Sequence, residues 1–242
     1  MKKFEQEVKK RIADNRQNKT LRKDADNFMM TSLVSKYSYN FSWLGRPIIQ
    51  YPQDIIAMQE LIWETKPDLI IETGIAHGGS LIMYASFLEM IGHGHVLGID
   101  IDIRKHNRNE IEKHPMFKRI TLLEGSSISD EIADKVVVFA RDHKKILVVL
   151  DSNHTHEHVL KELNLYSPLV SKGSYIVVFD TIVEDMPNES FLDRPWGKGN
   201  NPKTAVWKFL ETNDRFAIDK QIENKLLITV SPDGFLKCIK NL

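Results

Sequence analysis

From Leu69 onward, short apolar runs alternate with amphipathic stretches. The runs at Leu69 to Glu72, Val96 to Asp100, Ile120 to Glu124, Ile146 to Asp151 and Tyr175 to Asp180 have the length of buried strands, and each ends on an acid. Helical patterns fill the intervals between them. That alternation predicts a mostly parallel sheet with helices on both faces. Ahead of the first run, Gln53 to Glu64 reads as a helix whose apolar face is Ile55, Ile56, Met58, Leu61 and Ile62. The rhythm breaks near the C-terminus. There Lys225 to Ser231 and Phe235 to Ile239 flank Pro232-Asp233-Gly234, which predicts an antiparallel hairpin closing the sheet.

The 242 residues are 42% hydrophobic, enough for one substantial core, so one domain with an N-terminal extension is expected. Thirty-three basic residues balance thirty-three acidic ones, which argues against general attraction to nucleic acid. The balance is uneven along the chain. The first 23 residues hold nine Lys/Arg against Glu5, Glu7 and Asp14, with Phe4, Val8 and Ile12 at helical spacing. Such a helix suits peripheral contact with an anionic membrane surface or packing on the domain or a second subunit; three apolar residues favour packing. A homo-oligomer is expected. Residues 35–52, SKYSYNFSWLGRPIIQYP, are aromatic and turn-forming and suit a loop laid against a pocket. Cys238 is the sole cysteine, which excludes an intrachain disulfide and a Cys-based zinc site. No apolar run approaches the ~20 residues needed to span a bilayer, and the N-terminus lacks the apolar stretch of a secretion signal. Cytoplasmic residence fits best.

The segment LIIETGIAHGGS, Leu69 to Ser80, joins a strand to a helix through a glycine-bearing turn, the form of a nucleotide-type cofactor pocket. Its glycines do not keep the G-x-G-x-x-G spacing of dinucleotide sites, so S-adenosylmethionine is the preferred cofactor. An acid ending the second strand can accept two hydrogen bonds side by side, which assigns Asp100 to the ribose hydroxyls. Glu72 and the backbone of Gly74 belong beside the amino-acid end of the cofactor, with Ser80 opening the following helix and Ser126 or Ser127 near the adenine. Any one strand-end acid is as well read as a cap or solvated turn; five together point to a site.

The segment Asp151-Ser152-Asn153-His154 follows the apolar run ILVVL, and Asp180 ends the neighbouring strand. Two carboxylates there suit a hard divalent cation, Mg2+ by donor type, and His154 suits a general base that takes a hydroxyl proton. The competing reading makes His154 a helix cap and leaves His156 and His158 facing water. Between the fifth strand and the next helix, FLDRPWGKGNNPKTAV is long for a connection and reads as a lid. Trp196 within it suits either a platform for a sugar ring or a hydrophobic plug for the loop.

Six stretches carry a family resemblance: WLGRPIIQYPQD (Trp43 to Asp54), KPDLIIETGIAHGGS (Lys66 to Ser80), GIDIDIRKHNR (Gly98 to Arg108), LDSNHTHEHV (Leu150 to Val159), VVFDT (Val177 to Thr181) and RPWGKGNNPKTAV (Arg194 to Val206). On these, the chain resembles the cephalosporin hydroxylase and rhamnosyl O-methyltransferase group, relatives of the macrolide sugar O-methyltransferases, from Phe41 to Ile239. The layout is similar to the Rossmann-like class I methyltransferase fold. The resemblance implies a methyltransferase domain over residues 41–242 behind a basic helical extension over 1–40. It also implies metal-binding carboxylates at Asp151 and Asp180, a base at His154, and cofactor motifs holding Glu72, Gly74 and Asp100. Relatives commonly have Glu-Asp at the end of the fifth strand. Phe179 replaces that Glu here, so the remaining position at the metal falls to Thr181 or water. The resulting expectation is metal-assisted, S-adenosylmethionine-dependent methylation of a small-molecule hydroxyl, on a sugar in a glycan, lipid or natural product. A hydroxylase-type oxidoreductase and a catalytically silent cofactor-fold partner are the alternatives.

Overall fold

The computed structural model describes residues 2–242. Two helices, α1 (Lys2–Gln17) and α2 (Lys19–Val34), lead through a 3-10 turn to the short hairpin β1 (Phe41–Trp43) and β2 (Arg46–Ile48). Then α3 (Pro52–Thr65) precedes a βα succession: β3 (Leu69–Thr73), α4 (Gly79–Ile91), β4 (His95–Asp100), α5 (Lys105–Glu112), β5 (Ile120–Glu124), α6 (Asp130–Ala140), β6 (Ile146–Leu150), α7 (His156–Tyr166) and β7 (Tyr175–Val178). The chain ends with α8 (Pro202–Thr212), β8 (Phe216–Ile218), α9 (Lys220–Leu226) and β9 (Phe235–Cys238).

The strands are short and apolar on both faces, as a sheet covered on two sides requires. Alternation sorts their side chains into two cores. Ile70, Val96, Leu147, Val149 and Val177 pack with residues of α2, α3 and α4, whereas Leu69, Ile71, Leu97, Val148 and Ile176 pack with α6, α7 and α8. The strand order β5-β4-β3-β6-β7-β9-β8 makes a seven-stranded sheet in which β3 to β7 are parallel and β9 is antiparallel to both β7 and β8. This is the fold of class I methyltransferases. The strand order reverses between β3 and β6. The carboxyl ends of these two strands therefore flank the crevice where open α/β sheets bind ligands.

The expected hairpin of 225–231 with 235–239 does not form. Antiparallel pairing is present, but the partners of β9 are β7 and β8. Two local causes displace the expected strand. Asp219 caps α9 by accepting the Gln221 N–H at 3.1 Å, and Ile222 and Leu226, one turn apart, pack on the core. Beyond α9, the Val230 N–H that a ladder would have used donates to Asp54 Oδ2 at 3.0 Å, and Thr229 also donates to Asp54. The turn itself survives, closed by Gly234 N–H to Ser231 O at 3.0 Å.

At the N-terminus, α1 lies against α9 with Val8, Ile12 and Asn15 half-buried, while α2 places Ala25, Met29 and Ser32 in the interior. The Ser32 hydroxyl is 2.8 Å from the Tyr51 hydroxyl, tying α2 to the segment ahead of α3. Among the described residues, no helix is long and apolar enough to cross a membrane.

Candidate active site

A cavity of about 590 Å3 opens at the carboxyl ends of β3 and β6. One wall is the glycine-bearing turn, with Gly74, Ile75, Ala76, His77 and Ser80; the floor has Asp151, His154 and Asp180. Leu33 and Val34 of α2, Tyr39 and the 47–51 segment form a second wall, opposite Phe191, Arg194 and Trp196. The segment 35–52 thus lines the pocket as expected, although it includes a β-hairpin. The contribution of α2 was not legible from its sequence pattern.

Gly74 has φ of 82°, and a side chain there would run into the backbone carbonyl of Asp151. Its smallness therefore lets β3 approach β6, and the close approach expected of a ligand is first of all one made by the chain itself. The following turn is held from outside. Arg46 of β2 donates from Nε to the His77 carbonyl at 3.1 Å and from Nη2 to Asn107 Oδ1 at 3.2 Å, while Asn107 Nδ2 donates to the Ala76 carbonyl at 3.0 Å. Both residues lie in stretches that carry the family resemblance, but nothing in the sequence pairs Arg46 with a turn 31 positions away.

Asp100 stands beside the turn. Its Oδ2 accepts the Ile75 N–H at 2.9 Å and its Oδ1 the Asp102 N–H at 3.2 Å, so the carboxylate shapes the turn; its remaining lone pairs can accept further hydrogen bonds. Glu72 is 1% exposed and does not line the cavity, but Ser80 does, and its hydroxyl donates to Glu72 Oε2 at 2.7 Å. Burial pushes the Glu72 carboxyl up to about 8.

Ser127 does not present a free hydroxyl to a ligand. It is buried and donates to Glu162 Oε1 at 2.6 Å, and Ser152 donates to the same oxygen at 2.7 Å. His158 Nε2 lies 3.1 Å from both serine hydroxyls. This network, spanning the ends of β5 and β6, is absent from the sequence reading. Ser126 is half-buried and accepts through its backbone carbonyl from Ser129 N–H at 3.0 Å.

Asp151, His154 and Asp180 converge, each offering one ligand atom within 4.8 Å of the others. His154 Nε2 is 3.1 Å from Asp180 Oδ2. Burial raises the Asp151 carboxyl well above the usual range, and the nearby carboxylates of Asp180 and Glu72 add to that effect. Asp180 sits in the left-handed region at φ of 55°, a strained conformation for a non-glycine residue that turns the chain at the end of β7. His154 is not a helix cap. The first turn of α7 is entered through Asn153, whose Oδ1 accepts from Thr155 N–H at 2.9 Å and the Thr155 hydroxyl at 2.8 Å. Nor do the neighbouring histidines merely face water: His156 Nδ1 is 2.8 Å from the Thr204 hydroxyl, and His158 joins the Glu162 network.

Thr181 is not a member of the cluster. Its hydroxyl donates to the Pro232 carbonyl at 2.6 Å, an acceptor supplied by the turn between α9 and β9. Phe179, at the position where the resemblance implies Glu, is buried in the core.

A family model for rhamnosyl O-methyltransferase/CmcI matches residues 35–239. The chain belongs to this family. Rhamnosyl O-methyltransferase of Mycobacterium tuberculosis (strain H37Rv) is 32% identical over 187 residues, covering 76% of this chain and 72% of that protein. The Mycobacterium leprae protein of the same name is 29% identical over 197 residues, covering 81% and 82%. Among solved structures, CmcI without ligand superposes with a TM-score of 0.59 at 17% identity, covering 84% of this chain and 77% of that one. A CmcI structure with magnesium and S-adenosylmethionine gives 0.56 at the same identity, covering 84% and 78%. These structural likenesses show the fold. Family membership gives the activity class, S-adenosylmethionine-dependent O-methylation.

Proposed function

We propose that this enzyme methylates a sugar hydroxyl, of the rhamnosyl kind named for its relatives, with a divalent cation held by Asp151 and Asp180 and with His154 as the base. The observation that carries the reading is one cavity that joins the Gly74 turn on one side to Asp151, His154 and Asp180 on the other, with Asp100 bonded to that turn through the Ile75 N–H. The donor set fits a hard cation: two carboxylates lie close together, and that of Asp151 is driven toward its neutral form by desolvation and then by Asp180. Two carboxylates and one imidazole also differ from the two-His, one-carboxylate set of oxygenases, which favours transfer over oxidation.

When bound, the cation supplies charge stabilisation for a developing alkoxide, as magnesium does at oxygen ligands. The residues of the chain supply the rest. Asp180 holds His154 by its Nε2, and the imidazole takes the hydroxyl proton as the oxygen–methyl bond forms and the methyl–sulfur bond of the donor breaks. The donor leaves as a neutral thioether. Asp100, with lone pairs free beyond its two backbone bonds, is assigned to the ribose hydroxyls, and Ser80 with Gly74 to the amino-acid end.

The test uses the purified enzyme, S-adenosylmethionine and an aryl rhamnoside, with methylated sugar detected by mass spectrometry. Excess chelator should abolish turnover and magnesium should restore it. His154→Ala should lower the rate about 10²- to 10⁴-fold with donor affinity nearly constant. Full turnover in chelator removes the metal from the reading; an unchanged rate in His154→Ala removes the base.

A further inference from the structure

The segment RPWGKGNNPKT, expected to be a lid, is fastened to the start of α7, directly after the loop that carries His154. Gly197 and Asn200 exchange two backbone hydrogen bonds, N–H to carbonyl at 3.1 and 3.0 Å, closing a tight turn next to Trp196. Asn200 Nδ2 donates to the Pro195 carbonyl at 2.9 Å, and Asn200 Oδ1 accepts the His156 N–H at 3.0 Å. The first free N–H of α7 is thus capped from another part of the chain. A second tie joins His156 Nδ1 to the Thr204 hydroxyl at 2.8 Å, and Asn201 caps α8 by accepting from Lys203 N–H at 3.0 Å and Thr204 N–H at 3.2 Å. Trp196 is the residue this knot presents to the site. Its ring centroid lies 4.8 Å from that of His154 with the planes at 90°, and the Arg194 guanidinium covers it at 5.4 Å.

The geometry points to Trp196 as a positioning residue for His154, set in place by Asn200, rather than as a sugar platform. His154 Nε2 meets Asp180 Oδ2 at 3.1 Å, and one such contact leaves an imidazole free to swing about that axis. A perpendicular aromatic contact on the ring removes that freedom, because edge-to-face pairs hold both distance and tilt. Arg194 already covers Trp196, which leaves less of the indole for an acceptor ring. The inference rests on His154 acting as the base, so its test separates the two claims.

A double-mutant cycle makes that separation. Trp196→Leu should lower kcat on the aryl rhamnoside about 10- to 100-fold, the scale of misplacing a reacting group, with the Kd for S-adenosylmethionine unchanged. In a His154→Ala background the same substitution should cost nearly nothing, because the ring it positions is gone. An equal loss in both backgrounds, or a raised acceptor KM at unchanged kcat, would overturn the positioning role and favour the platform. A second readout needs no acceptor. The His154 ring-proton resonance, assigned by its disappearance in His154→Ala, lies under the ring current of Trp196 and should shift in Asn200→Ala. A resonance that stays in place overturns the brace even if His154 proves to be the base, whereas an unchanged rate in His154→Ala overturns the base alone.

Discussion

At the scale of single residues, the site depends on burial more than on the identity of its acids. Glu72 and Asp100 both end strands, yet burial drives the carboxyl of Glu72 up to about 8 whereas Asp100 keeps two backbone N–H partners. Strand-end acids were legible in the sequence, because an acid after four apolar residues is conspicuous. Which of them faces the cavity was not, since that depends on a twist and a turn shared with Arg46 and Asn107. The raised pKa of Glu72 carries a stability prediction. Its folded value exceeds the ordinary unfolded value of about 4.3, so the folded state binds the proton more tightly, and stability present at low pH is lost as pH rises toward and through about 8. Burial likewise holds Asp54 at about 7, which acts in the same direction over the lower part of that window. The melting temperature should therefore fall between pH 5 and 9 in the wild type, and Glu72→Gln should flatten the upper part of that fall. Parallel melting curves for the two proteins across the window would show that Glu72 is charged in the fold.

At the scale of elements, every parallel strand was visible as an apolar run of the right length, and its boundaries shifted by no more than two residues on folding. The failure at 225–231 is instructive because its cause is distant. Asp54 lies 176 positions from Val230 and takes the donor that a hairpin needs, and no local window of sequence contains that partner. Likewise, the lid reading of 191–206 followed from length and composition, while the bonds from Asn200 and Thr204 to the start of α7 depend on α7 and α8 meeting on one face of the sheet. The β7–β9 pairing has a vulnerable point at Gly234. Its carbonyl accepts the Val178 N–H at 2.9 Å, and a side chain there would strike the Val178 carbonyl and the Ser231 hydroxyl. Gly234→Ala should lower stability by about 1 to 3 kcal/mol, the range for forcing a methyl into a packed interior. Denaturant titration would measure this, and a midpoint equal to wild type would mean that the turn yields without effort.

At the scale of the whole molecule, charge is segregated. Nine of the thirty-three basic residues lie in the first 23 positions with three acids, leaving the remainder of the chain with acid in excess. The half-buried side of α1 consists of Val8, Ile12 and Asn15, and no residue of that helix is fully buried. Removal of residues 2–17 should therefore leave a folded, cooperative protein. Two half-buried apolar side chains contribute about 1 kcal/mol, which in a chain of this size shifts the melting temperature by about 2 to 4 °C. A collapse of the transition would show that α1 belongs to the core unit. By contrast, α2 supplies Leu33 and Val34 to the cavity and Ser32 to Tyr51, so a cut extended past it should destroy the site.

The reversal of strand order between β3 and β6 has an evolutionary consequence. The wall proposed for the methyl donor comes from the stretch up to β5, whereas the acids, the imidazole and the Trp196 knot all come from β6 onward. Gly74, packed on the Asp151 carbonyl, is the seam where the two halves meet. Substitutions on the acceptor side can accumulate without disturbing the grip on the methyl donor, provided that this seam is kept. One lineage can thus retain its reagent while drifting from one alcohol to another.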